Sequence, residues 1–358
     1  MLNSRRLTLR VRLEDAIAFL FFVFFIVVLA LFQGMRHSIL SPADVLIIIP
    51  AVCLLLTKEI VHYFVAGKEL HLESAEDVRA FINPYWQIVR DFAPFLVLLF
   101  MYYTMWGNAT GLLSSRDRDL QLIAWDQRLF GFQASVALQR IISPPLTAWM
   151  EFAYFFHLPN IPIVACFIYI WRPRQRFREM MTGLVVITAI GVASYMLVPG
   201  VGPMYSLRDQ YTVPLTQQVV GLLNQESAFI DFARVKRDVF PSMHVGISFV
   251  VWLYAWRNSR VLFWILAPFI LSLWFSTVYL RYHYLVDVVA GLILAPLCYW
   301  LANWMFKRYA EIEIPVWLPA SWADRMRLPR PDLSGPRAQA TPDAQPASEQ
   351  VDGVQDEP

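Results

Sequence analysis

What most constrains this chain is a series of apolar runs nearly free of charge; the first, Ala16–Phe32, has no charged residue at all. A run of about twenty apolar residues crosses a bilayer as a helix, because backbone groups in lipid must find hydrogen-bond partners within their own segment. Eight spans are expected, roughly at 16–33, 43–62, 92–107, 146–171, 180–198, 241–256, 261–280 and 286–306. Lys58, Glu59 and His62 interrupt the second, and the third is short unless 81–89 leads into it along the membrane surface. The first run is too long for a cleaved secretory signal and has no small-residue cleavage site beside it. Of 358 residues 57% are hydrophobic and 16% charged, against about a quarter charged in a soluble domain. The expected fold class is all-α integral membrane, and a water-soluble globule is excluded.

Basic residues set the expected orientation. With the N-terminus in the cytoplasm, the inner segments hold 16 Lys and Arg before the tail and the longer outer segments hold 10. Both termini are then cytoplasmic. Residues 309–358 carry nine acidic residues against four arginines, with many prolines, and read as a disordered cytoplasmic tail. No basic block with interleaved aromatics appears, which argues against nucleic-acid binding. Cys53, Cys166 and Cys298 each lie in an apolar run, so packing is their expected role. Arginine outnumbers lysine 26 to 4, which points to a GC-rich genome and a bacterial inner membrane.

Ionisable groups at membrane depth are expensive and therefore functional suspects. One cluster runs from Arg234 through Lys236, Arg237 and Pro241-Ser-Met-His244 into the sixth span. Pro241 suits a first helical turn, whose free N–H groups with the Ser242 hydroxyl make an anion site. Lys236 and Arg237 would neutralise that anion, and His244 would reach it; a capped helix with a basic flank is the plain alternative. The second cluster holds Arg281, His283 and Asp287 at the turn into the eighth span. His283 and Asp287 are four apart and share a helix face, so the carboxylate can accept from one imidazole nitrogen and leave the other free. A buried structural His–Asp pair is the alternative there. Both clusters fall on the outer side. Glu151 and His157, near Pro159-Asn-Ile-Pro162, are expected to serve packing or hydration, with a place lining a cavity as the other reading.

Phe240-Pro-Ser-Met-His244 and Tyr282-His-Tyr-Leu-Val-Asp287 resemble two signature motifs of the type 2 phosphatidic acid phosphatases, Pro-Ser-Gly-His and Ser-Arg-x5-His-x3-Asp. The resemblance implies a six-helix core, here 92–308, behind an N-terminal part (1–70) with two extra helices and a linker at 71–91. It implies metal-independent phosphoryl transfer through a phosphohistidine, with no cofactor. His283 would attack phosphorus, Asp287 would orient it, His244 would protonate the leaving oxygen and Ser242 would bond a phosphoryl oxygen. Thr277 stands where the family has a phosphate-binding arginine, Met243 replaces the motif's glycine, and the Lys-x6-Arg-Pro motif is absent. These departures are similar to the inositol-phosphorylceramide-synthase-like branch, as are Pro199-Gly-Val-Gly-Pro203 and Asp126-Gln-Arg-Leu-Phe-Gly131. Arg237, Arg281 and Lys236 are the candidates to replace the missing charge, with Arg281 snorkelling to headgroups as the other reading of that residue.

The implied reaction takes a lipid phosphate donor and passes its phosphoryl or headgroup-phosphate unit to water or to a lipid alcohol such as a ceramide or diacylglycerol. A catalytically inactive lipid-binding or transport protein on the same scaffold stays open, as does a metal hydrolase using His244, His283 and Asp287 as ligands.

Overall fold

The computed structural model describes residues 4–32, 75–100, 116–215 and 237–319. Contacts divide the chain into a body, Arg10–Glu313, and a terminal unit, Met1–Leu9 with Ile314–Pro358. In chain order the elements are β1 (Ser4–Arg12), α1 (Leu13–Phe32), α2 (Ala75–Phe100), α3 (Asp119–Phe130), α4 (Pro144–Phe155), α5 (His157–Trp171), α6 (Arg174–Leu197), α7 (Met243–Asn258), α8 (Arg260–Tyr279), α9 (Leu285–Tyr309) and β2 (Glu311–Pro319). Short helical turns lie between α3 and α4 and after α6.

The body is mostly helical. Among the described residues α6, α8 and α9 are long and apolar enough to cross a membrane, and α4 with α5 makes a fourth if that pair, bent by 46°, is one span. The expected fourth span is therefore broken, and the break falls at Phe156. Pro159 explains the place: its ring nitrogen cannot donate to the carbonyl four residues back, Phe155, and its ring crowds that carbonyl. The expected sixth span is a helix of 16 residues, about 24 Å at the usual rise, short of a full crossing. The expected second span lies outside the described residues, as does the end of the third. The segment expected as a linker, 71–91, belongs largely to α2. Ile88, Phe92, Phe95 and Leu98 are all buried, so one apolar helical face continues across that boundary.

α6 packs against α1, α2, α5, α7 and α9, and α7 packs in turn against α5, α6, α8 and α9. Gly291 lets α7 and α9 approach closely, since a Cβ there would lie 2.6 Å from the Ser242 carbonyl oxygen. One end of the bundle is tied by ion pairs. Arg12 and Arg174 reach Asp91 at 2.6 and 2.7 Å, Arg178 reaches Glu14 at 2.6 Å and Arg257 reaches Glu179 at 3.1 Å. Glu14, Asp91 and Glu179 are buried, and Glu14 has Arg178 as its one arginine among the described residues, so removing Arg178 strands a buried charge at a cost of about 3–5 kcal/mol.

The all-α expectation needs correction at the termini, where β1 and β2 pair as a two-stranded sheet. The tail expected to be disordered from residue 309 thus begins with the end of α9 and a strand. Leu7, Leu9 and Val11 alternate with polar residues, and Glu311-Ile-Glu-Ile314 does the same; period-2 alternation belongs to strands. Within the body, Arg10 meets Glu313 at 3.1 Å.

Candidate active site

The site assembles where α7 and α9 begin. The helix of the first cluster starts at Met243 with Ser242 as its N-cap, so Pro241 stands just before the helix and not in its first turn. The Ser242 N–H donates to the Asp287 carbonyl at 3.0 Å, which pins the two helix starts together. The Ser242 hydroxyl does not cap its own helix. It is fully buried and has no hydrogen-bond partner among the described residues. Met243, in place of the family's glycine, is accommodated by a glycine elsewhere. A Cβ at Gly191 on α6 would fall 2.1 Å from the Met243 sulfur, so the thioether occupies the space that Gly191 leaves open.

His244 and His283 come from motifs 39 residues apart, and their rings meet: His244 Nδ1 lies 3.3 Å from His283 Nε2. The other nitrogen of His283, Nδ1, lies 3.0 Å from the Val239 carbonyl oxygen. A carbonyl only accepts, so Nδ1 carries the proton, and in the neutral ring Nε2 presents its lone pair. That lone pair faces His244 Nδ1, which must then be the donor of the pair. Asp287 Oδ2 is 3.6 Å from His283 Nδ1, longer than a hydrogen bond. The same oxygen accepts the Tyr284 N–H at 2.8 Å. Asp287 therefore fixes the helix start that carries it and stands beside the imidazole, while the Val239 carbonyl is the direct orienting partner. His244 also packs on Tyr154 and His157, with ring centroids 4.8 and 4.7 Å away.

The candidate cations sit in unusual backbone. Among the described residues Arg237 and Arg281 are the two non-glycine residues at positive φ, 81° and 68°, a conformation costing about 1–3 kcal/mol and typical of functional sites. Arg237 pairs with Asp117 at 2.7 Å. Arg281 is buried, its guanidinium 3.9 Å from the Tyr211 ring centre and bonded to the Val213 carbonyl. Burial lowers its pKa, against the opposing influence of Tyr211 and Tyr279. Snorkelling to headgroups is thus not the geometry of Arg281. Lys236 lies outside the described residues. Thr277 is fully buried, and its carbonyl accepts the N–H groups of both Tyr282 and His283 at 3.0 Å; this position shapes the turn.

Two carboxylates on α3 hold the site from outside. Asp119 and Asp126 lie two turns apart on the face that buries Leu122. Asp126 accepts the N–H groups of Leu285 and Val286 at 3.0 and 2.8 Å, capping α9. Burial pushes its carboxyl above the ordinary value, against the pull of those two N–H groups. Asp119 accepts from Val201 and Gly202, each at 2.9 Å, and from the Tyr284 hydroxyl at 2.8 Å. The Pro199–Pro203 loop and the His283 turn are thereby joined through one helix. Sequence spacing gave no sign of the contacts of Val239, Asp119 or Tyr284, because their partners lie 44 and 165 residues away in the chain.

Among the described residues no group of three or more His, Cys, Asp or Glu is placed to hold a metal ion.

The chain is 23% identical over 180 residues to a phosphoinositol dihydroceramide synthase of Bacteroides thetaiotaomicron; the match covers 46% of this chain and 57% of that protein. No solved structure matches the chain. A model of the PAP2 superfamily matches residues 120–301, which include α3 and both histidine motifs. With apolar helices able to cross a membrane and the two motif histidines in contact at one end of the bundle, the chain belongs to the PAP2 superfamily.

Proposed function

We propose that this protein transfers a headgroup phosphate from a donor lipid to a lipid alcohol through a phosphohistidine at His283. The observation that carries the reading is the contact of His244 with His283, with the tautomers that Val239 imposes. His283 Nε2 attacks phosphorus, the bond from phosphorus to the leaving alcohol oxygen breaks, and His244 gives that oxygen its proton. In the second half the acceptor hydroxyl attacks, the P–N bond breaks, and His244 takes the hydroxyl proton. An attacking nitrogen stands about 3–3.5 Å from phosphorus, and the acid needs a hydrogen bond of about 2.6–3.2 Å to the leaving oxygen. The rings, 3.3 Å apart at rest, must therefore separate by roughly a further 3 Å as phosphate enters between them.

The Ser242 hydroxyl and the N–H groups at the start of α7 bond the phosphoryl oxygens. Arg237, Arg281 and Lys236 supply the positive charge that the transfer needs; the strained backbone of the two arginines supports that role. Neither step uses a metal.

The site lies at the extracytoplasmic face of a six-helix core within 92–308, with both termini cytoplasmic. In support, Arg257, which pairs with Glu179, sits at the far end of the helix that begins at His244, and the expected inner segments are the richer in Lys and Arg. The relative's name makes an inositol-phosphate headgroup and a ceramide-type acceptor the first pair to try, which would place the enzyme in sphingolipid metabolism, and arginine usage suggests a bacterial inner membrane.

The test is incubation of purified protein with headgroup-labelled donor lipid, with and without acceptor lipids. A new labelled lipid, together with an acid-labile, base-stable label on the protein that His283→Ala abolishes, is the expected result. Full turnover by His283→Ala would overturn the reading, and no turnover of any lipid phosphate by the wild type would return the inactive-scaffold alternative.

A further inference from the structure

The mechanism leaves a buried side-chain amide beside the site unused. Asn160, one turn into α5, has no exposed surface, and neither its amide nitrogen nor its amide oxygen has a hydrogen-bond partner among the described residues. His157, three residues earlier on the same helix, has a buried Nδ1 in the same condition. Residues three apart share a helix face. That face is turned to the site, because the His157 ring packs 4.7 Å from the His244 ring. The break at Phe156 is what brings the first turn of α5 to that position; a straight continuation of α4 would point elsewhere.

Buried amides are almost always paired, since leaving one unpaired destabilises the fold. A ligand is a sufficient reason to keep one. Its chemistry follows from the side chains. Residues 144–171 contain no Lys or Arg, so nothing there attracts a phosphate. Asn160 offers both a donor and an acceptor, which suits an uncharged group offering both, a hydroxyl or a secondary amide. α5 runs from the histidines toward the ion-paired end, where Arg172 bonds the Asn258 carbonyl. Asn160 therefore lies about one turn, ~5 Å, deeper than His157.

We infer that His157 and Asn160 form the acceptor subsite, which binds a lipid alcohol whose reacting hydroxyl lies at His244 and whose neighbouring amide reaches Asn160. The inference rests on the transferase reading proposed above. An N-acylated amino-alcohol lipid satisfies both functions of the Asn160 amide. A diacylglycerol brings ester carbonyls, which only accept, and leaves the side-chain oxygen of Asn160 unpaired.

The experiment measures headgroup transfer from labelled donor to two acceptors, an N-acyl amino-alcohol lipid and a diacylglycerol, for the wild type, Asn160→Leu, His157→Phe and His157→Gln, with the thermal midpoint of each in detergent. For Asn160→Leu the apparent KM for the amide-bearing acceptor rises about tenfold or more, as when a hydrogen bond to substrate is lost. The KM for donor and for diacylglycerol shifts by less than about threefold, within the scatter of a site not touched. Because an unpaired buried amide is removed, the midpoint stays level or rises. His157→Phe, which keeps the ring packing, raises the same acceptor KM, and His157→Gln restores part of it. Should Asn160→Leu not fold, the His157 pair carries the test alone. A fall in midpoint with every KM unchanged, or an equal rise in donor and acceptor KM, assigns these residues to packing and overturns the inference. Transfer by the wild type with no acceptor effect in any variant overturns the subsite alone. Hydrolysis with no use of either lipid acceptor overturns the subsite and the transferase reading but leaves the phosphohistidine intact, and no reaction of any kind by the wild type overturns both.

Discussion

His283 donates from Nδ1 to the carbonyl oxygen of Val239, 3.0 Å away. One backbone acceptor, placed by the strand of chain before α7, thereby decides which nitrogen of His283 can attack phosphorus. The nearby Asp287, 3.6 Å from the same nitrogen, acts through the helix start, where it accepts the Tyr284 N–H.

The division of labour between the histidines is open to a leaving-group test. His244→Ala removes the proton donor, so transfer from a natural lipid donor falls by about 10²–10⁴. A donor whose leaving group is a nitrophenolate needs no proton and loses roughly tenfold or less. Steady-state rates with the two donors check this; equal losses would mean that His244 does not protonate the leaving oxygen.

Met243 and Gly191 exchange volume, and a double-mutant cycle measures it. Gly191→Ala puts a Cβ within 2.1 Å of the Met243 sulfur and is expected to cost about 1–3 kcal/mol by overpacking. In the Gly191→Ala, Met243→Gly double variant the clash is gone, and the coupling is about 1 kcal/mol or more. Thermal unfolding of the four proteins in detergent gives the value; simple additivity would show that the contact carries no strain.

Asp126 is a positioning residue for the His283 turn. Asp126→Asn replaces one of two acceptors by a donor facing an N–H, at a cost of about 1.5–3 kcal/mol. A displacement of the turn lowers kcat by about tenfold or more, while the donor KM shifts much less. Kinetics beside the thermal midpoint check both; a lower midpoint with unchanged kcat would leave Asp126 a purely structural cap.

Activity is expected to survive chelation. His283 Nδ1 is committed to Val239, and its Nε2 faces His244. Dialysis against EDTA therefore leaves the rate within about twofold, whereas a catalytic zinc bound by His244, His283 and Asp287 would take the activity with it. Assay before and after dialysis, with zinc and magnesium added back, separates the two.

The sequence by itself determined the membrane class, the approximate course of α1, α6, α8 and α9, and both histidine motifs. These rest on local physics: long apolar runs compelled to satisfy their own backbone, and side chains four apart on one helix face. Two local signals were readable and point elsewhere than the expectation: the alternation in β1 and β2, and the apolar face of α2 continuing past residue 91. Only the tertiary structure decided that His244 and His283 touch, that the Val239 carbonyl selects the nucleophilic nitrogen, that Gly191 makes room for Met243, and that Asp119 and Asp126 clamp the turn. Each of these is a contact between residues tens of positions apart, or a hydrogen bond to a backbone atom that every residue carries. Chain order leaves no trace of such contacts, because packing chooses partners by position in space.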